Sequence, residues 1–126
     1  MTMKKNTCLG EINVTIGAIA SLTGAAVSEC IGVVGMASKQ FFRDGIAVLL
    51  KQDNYSRGVV VRKTDKGIEL DIYIIICYGV KVIDVVKEVQ QKVKYELENA
   101  LDVDFAAINV FVQGVKVIDQ DRLWRL

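Results

Sequence analysis

The sequence predicts an α+β domain in two layers, in which two long helices pack on one face of a mixed sheet of three to four strands. Residues 68–78 are the most apolar segment of the chain, and their side chains alternate with the period of a β-strand. After Gly79, residues 81–100 repeat valine at helical spacing among charged residues. Because the apolar face of a sheet must be covered, the helices are expected to pack on this central strand.

The first third of the chain predicts one helix between two short extended segments. Residues 9–14 are expected to be a short edge strand or an extended lead-in, and Thr15 is suited to cap a helix from Ile16 to about Cys30. Residues 32–38 contain β-branched residues between glycines, which is typical of a short strand. A stripe of small residues on the helix permits simple close packing or the approach of another backbone; its members are Gly17, Ser21, Gly24 and Ser28.

The middle of the chain combines a long excursion with a predicted hairpin. Residues 39–57 form a longer connection than is usual, with a short helix expected at 46–50. Gly58 opens a β-branched strand, and Thr64–Gly67 has the residues of a tight turn into the central strand. These two strands are therefore expected to pair with each other.

Strand periodicity divides the predicted sheet into two faces. On the central strand one face is wholly apolar and is assigned to the helices; it consists of Ile68, Leu70, Ile72, Ile74 and Ile76. The opposite face begins with Glu69 and Asp71 and ends with apolar residues, so only its first end is expected to be exposed to solvent. In the last strand, 105–117, the alternation places Asn109, Phe111 and Gln113 opposite Ile108, Val110 and Val112, and Gly114 is expected to bend or bulge the chain.

Length and composition predict one cytoplasmic domain. The 126 residues suffice for a stable core, and we assign 1–8 and 120–126 to tails around a domain at 9–119. The second tail contains Trp124, and it either packs back on the domain through this residue or serves as a docking peptide. Three widely spaced cysteines suit free thiols in a reducing cytosol, and no signal peptide or membrane-spanning run is expected. A net charge of +1 gives no field that attracts nucleic acid.

The residue types argue against an enzyme. The chain has no histidine, which excludes Ser-His-Asp and Cys-His nucleophile systems. Glu69 and Asp71 are interpreted as residues of an exposed strand rather than an acid–base pair. The spacing of Gly32 and Gly35 fits neither a dinucleotide loop nor a P-loop, and Cys77 is interpreted as a small apolar filler. No catalytic, cofactor-binding or metal-binding residue is predicted, and no cofactor is expected.

Several short motifs, in their order along the chain, resemble the alkaline shock protein family of Gram-positive bacteria. They are Gly10–Ile12, Gly32–Met36, Gly58–Val59, Tyr78–Gly79, Val89–Lys94 and Ile108–Val115. Residues 38–39, 44–45 and 55–58 are similar to the small cytosolic YloU-like branch. The resemblance implies a non-enzymatic envelope or general stress protein. It also implies an indirect association with the membrane through a separate anchor protein, and a link to fatty-acid metabolism.

The second face of the sheet is the candidate binding surface. Tyr73, Ile75 and Phe111 have no obvious element to cover them, so they are predicted to bind a second copy or a protein partner. Alternatively, residues 39–57 fold over this face and make the same residues core. A small-ligand or lipid-metabolite sensor is the competing function, in which an anion is held by basic residues that otherwise are only solvated: Lys39, Arg43, Arg57 and Arg62. A cryptic enzyme is the third class.

Overall fold

The computed structural model describes residues 2–37 and 57–117. Within these ranges the chain forms two helices and six strands. In chain order they are β1 (Thr2–Thr7), β2 (Gly10–Thr15), α1 (Ile16–Ser28), β3 (Val33–Met36), β4 (Val59–Thr64), β5 (Gly67–Cys77), α2 (Val82–Leu101) and β6 (Phe105–Lys116). β3 to β6 form a mixed four-stranded sheet, and β1 and β2 form a separate pair. The predicted α+β fold is confirmed.

Strand β5 is the centre of the sheet. It pairs in parallel with β6 from Ile68 to Cys77, which occupies one of its two edges. The other edge is shared by two antiparallel strands: β4 pairs with the first half of β5, and β3 pairs with the second half, at Ile74–Ile76. The predicted hairpin is confirmed, since Thr64 lies opposite Gly67 across the turn.

One face of this sheet and the two helices enclose the core. Leu70, Ile72, Ile74 and Ile76 are buried, as the alternation predicts. Helix α2 contributes a buried stripe consisting of Val85, Val89, Val93 and Leu97. Burial of each such side chain contributes about 1.5–3 kcal/mol. The predicted stripe was wrong at its ends: Val82 and Ala100 are exposed and Val86 is half-buried, because Val85 takes the core position in the first turn.

The helix ends follow from local chemistry. The predicted cap is confirmed, since the amide of Ala18 donates to Thr15 Oγ1 at 3.1 Å. Helix α2 ends at Asp102, which adopts the left-handed conformation with φ 53° and donates its amide to the Glu98 carbonyl at 2.8 Å. In the part of the chain that the structure describes, neither helix has the length and apolar character needed to cross a bilayer.

The N-terminal residues differ from expectation. Residues 1–8, expected to be a tail, include strand β1, which pairs antiparallel with β2 from Thr2↔Thr15 to Thr7↔Gly10. Lys5 Nζ lies 2.7 Å from Asp102 Oδ2, which ties this hairpin to the end of α2. The predicted helix at 46–50 and the Trp124 tail lie outside the described residues.

Candidate interaction surface on the second face of the sheet

The side of the sheet that faces away from the helices has a polar half and an apolar half. The polar half, here called the polar cluster, consists of Arg62 on β4, Glu69 and Asp71 on β5, and Asn109 on β6. The apolar half contains Tyr73 and Ile75 on β5 and Phe111 on β6. Because strand side chains alternate, three neighbouring strands bring these residues together on one surface.

Hydrogen bonds and ion pairs connect every member of the polar cluster. Arg62 donates from Nε and Nη2 to the two carboxylate oxygens of Asp71, each at 3.0 Å. Arg62 Nη1 lies 3.1 Å from Glu69 Oε2, and Asn109 Nδ2 donates to Asp71 Oδ1 at 3.0 Å. The strand register explains the contacts, since Arg62 lies opposite Glu69 and Asn109 lies opposite Asp71. The cluster therefore links all three strands through one carboxylate.

The position of Asp71 corrects the prediction of an exposed charged strand. Asp71 is only 7% exposed, and Glu69 is half-buried. A carboxylate can be buried here because it accepts a bidentate, charge-assisted pair of hydrogen bonds. The hydrogen bond to Asp71 is also the main reason why the pKa of Arg62 is raised above its usual value. Since Glu69 and Asp71 both contact Arg62, the arrangement suits cohesion of the sheet better than acid–base chemistry.

Tyr73 and Phe111 stack on each other beside the polar cluster. Their ring centroids are 5.0 Å apart with an interplanar angle of 16°, which is an offset-stacking distance favourable for aromatic pairs. The structure differs from the expectation of a fully exposed cluster: Tyr73 is 7% and Ile75 is 5% exposed, whereas Phe111 is 42% exposed. Burial also raises the pKa of the Tyr73 hydroxyl. Of the three predicted partner-binding residues, only Phe111 presents a large accessible surface; their role in binding stays a prediction.

A β-bulge interrupts β6 next to Phe111. Val112 lies opposite Ile74 and Gly114 opposite Ile75, so Gln113 is the extra residue. The bend expected at Gly114 thus occurs one residue earlier. Gln113 Oε1 is buried, and no described residue donates a hydrogen bond to it. The bulge ends the regular part of the apolar half.

The residues on which the alternative functions depend do not form a second site among the described residues. Among the four basic residues of the anion hypothesis, Arg62 is held by carboxylates, Arg57 is exposed, and Lys39 and Arg43 lie outside the described residues. The excursion at 39–57, the alternative cover for the second face, also lies outside them except for Arg57. Cys77 is half-buried. Across residues 2–37 and 57–117, no three acidic, cysteine or histidine residues are grouped so that they could hold a metal ion.

A cleft of about 280 Å³ lies away from this surface, between the β1–β2 hairpin and the end of α2. Its wall is largely aliphatic, with one ion pair at its rim. The lining residues are Lys5, Thr7, Ile12, Val14, Ala100, Leu101 and Asp102. Sequence reasoning missed this cleft because it did not predict strand β1.

The fold and its second face define a small α+β domain with a cohesive polar cluster and an exposed aromatic ring. Residues 4–117 match the family model of the alkaline shock proteins, whose function is described as cell envelope-related. This chain belongs to that family, and the resemblance predicted from its motifs is confirmed.

The relatives cover nearly the whole chain. The uncharacterized protein Spy1614 of Streptococcus pyogenes is 43% identical over 96% of this chain and 100% of its own length. The uncharacterized protein YloU of Bacillus subtilis is 40% identical over 93% of this chain and 98% of its own length. The uncharacterized protein YqhY of Bacillus subtilis is 29% identical over 89% of this chain and 82% of its own length. No solved structure gives a significant match.

Proposed function

We propose that this protein is a non-enzymatic, cytoplasmic scaffold or interaction protein of the envelope or general stress response, which acts through self-association or the binding of a protein partner. Its family has a cell envelope-related function. A link to the membrane through another protein is consistent with this role, because such a protein needs no membrane-crossing helix of its own.

The observation that carries the proposal is the exposed ring of Phe111 on a rigid support. The ring of Tyr73 stacks against the ring of Phe111, and Tyr73 itself is buried. A fixed aromatic side chain loses little conformational entropy on binding, so it is well suited to anchor an interface.

The substitution Phe111→Glu is expected to weaken the association at least about tenfold, because it places a charge at the centre of a desolvated contact. The matched control is Tyr95→Glu, which charges an aromatic residue on α2 that is 66% exposed. Molar mass by light scattering, measured over a range of concentrations, reports self-association. Affinity capture followed by mass spectrometry reports other partners.

The expected result is a smaller assembly, or the loss of a captured protein, with Phe111→Glu and not with Tyr95→Glu. Equal mass and equal captured proteins for both variants and the unmodified chain would contradict the proposal. Circular dichroism of each variant verifies that the fold is retained.

A sensor of small ligands or lipid metabolites is the second candidate, and the cleft beside the hairpin is the observation that favours it. Its volume, about 280 Å³, is close to the lower limit of ordinary ligand pockets, and its wall is largely aliphatic, which suits an acyl chain. A long-chain fatty acid is a suitable probe: binding in the cleft should slow amide exchange in β1 and β2. Unchanged exchange at saturating fatty acid would count against the sensor.

A further inference from the structure

The outer edge of β6 is open along its length within the described residues. β6 pairs with β5 and with no other described strand. The exposure of β6 is also typical of an edge strand: residues 70–76 of β5 are all buried, whereas no residue of β6 is fully buried. The segment 105–115 carries no charge, and the whole chain contains no proline. A long, uncharged edge that no described strand occupies is suited to pairing with another strand.

One hydrogen bond shows which backbone groups face outward. Gln90 Nε2 donates to the carbonyl of Ile108 at 2.9 Å, so this carbonyl points away from β5. A carbonyl oxygen has two lone pairs, and this bond therefore leaves it able to accept a second one. Because strand backbone groups alternate in direction, Val110 and Val112 also direct their N–H and C=O groups toward the open edge. The middle of β6 thus offers donors and acceptors in a regular series.

Two opposite charges mark the ends of this edge. Asp104 directly precedes β6 and Lys116 is its last residue; both are exposed. Neither forms an ion pair with any residue that the structure describes. At about 3.3 Å per residue, the two lie roughly 35–40 Å apart in one chain. They therefore cannot neutralise each other within a single molecule.

We propose that β6 pairs antiparallel with β6 of a second copy, about a two-fold axis at Val110. In this register Asp104 of each subunit lies opposite Lys116 of the partner subunit. The bulges of β6 do not change this pairing of Asp104 with Lys116. Each half of the strand contains one bulged residue, Ala106 or Gln113, so the two halves are shortened alike. This self-complementary charge pattern favours a second copy over an unrelated peptide. The inference rests on the proposed function and places Phe111 inside the interface, opposite Asn109 of the partner subunit.

Charge reversal tests the register. Asp104→Lys and Lys116→Asp each convert two symmetric attractions into repulsions, so each single variant should weaken the dimer about tenfold. The double variant Asp104→Lys/Lys116→Asp should return the dissociation constant to within about twofold of the original, because the attraction is restored between subunits. Sedimentation velocity at low salt measures the dissociation constants. If a reversed variant fails to fold, Asp104→Asn and Lys116→Gln replace it, with a smaller weakening.

Amide exchange of the unmodified protein gives an independent measurement. The outward amides of Val110 and Val112 should become protected as the protein concentration rises, while those of Asn109 and Phe111, which face β5, should be protected throughout. A monomer at every concentration, or a dimer whose double variant stays as weak as the single variants, would overturn the two-fold pairing. The proposed function fails separately, if Phe111→Glu alters neither mass nor captured proteins.

Discussion

Asp71 shows how one residue organises the second face of the sheet. Its carboxylate is 7% exposed and accepts hydrogen bonds from Arg62 and Asn109, so it joins the two strands that flank β5. A buried carboxylate in such a network is costly to disturb, because any change leaves a desolvated charge or polar group without its partner.

We expect Asp71→Asn to lower the free energy of unfolding by about 1–3 kcal/mol, because it removes the charge that holds Arg62 and replaces one acceptor oxygen by a donor. Urea denaturation measures the difference. The matched control is Asp65→Asn in the exposed turn between β4 and β5, which should change stability by less than about 0.5 kcal/mol. Equal effects of the two substitutions would show that the polar cluster contributes no cohesion.

Part of this cluster could be read from the sequence. Once the turn at Thr64–Gly67 is predicted, the register of a hairpin places Arg62 opposite Glu69, with Asp71 on the diagonal. The fourth member could not be found in this way, because Asn109 reaches Asp71 through the parallel pairing of β6, which no local pattern encodes. Without β6 as a neighbour, Asp71 would face solvent, and this is why the strand pattern alone predicts an exposed carboxylate.

The β1–β2 hairpin is attached to α2 by an ion pair that depends on pH. Lys5 donates a hydrogen bond to Asp102, and this bond lowers the pKa of the Asp102 carboxyl below its usual value. Because the pKa is lower in the folded than in the unfolded state, the stabilisation is fully present above the ordinary value of about 3.9. It is lost as the pH falls through the folded-state pKa.

Removal of the lysine tests this attachment. In Lys5→Met the pKa of Asp102, followed by NMR titration, should rise toward the ordinary value, and the amides of β1 should exchange faster at neutral pH. Lys66→Met, in the exposed turn before β5, should leave both quantities unchanged. A titration of Asp102 that is the same in all three proteins would show that Lys5 does not hold the hairpin.

Elements with a strong local signal were predictable, and those that depend on a distant partner were not. Thr15, the hairpin turn and the alternation of β5 each act over a few residues, and all are confirmed. Strand β1 is polar and lacks alternation, because it packs in a separate two-stranded sheet whose residues are mostly exposed. The predicted stripe of α2 was wrong at Val86, which is half-buried, because the helical pattern admits either of two neighbouring valines and Val85 takes the buried position.

At the scale of the whole molecule, the sheet has two faces of different character. The helix-covered face was assigned correctly from strand periodicity. The second face was expected to be open along its apolar half, yet Tyr73 and Ile75 are buried and Phe111 alone of the three is substantially exposed. Alternation identifies which side chains share a face, but it does not determine which of them another part of the molecule covers.

Strand β5 pairs with strands that precede it in the chain and with one that follows it, and this order has a consequence for biosynthesis. β3 and β4 precede β5 in the chain, so one edge of β5 can be paired as soon as it leaves the ribosome. The other edge must wait for β6, until all 20 residues of α2 have been translated, which takes on the order of seconds. During that interval the most apolar strand of the protein presents a bare edge to solvent. A nascent chain stalled after β5 has left the ribosome, but while β6 is still inside the exit tunnel, should therefore be a preferred client of ribosome-associated chaperones.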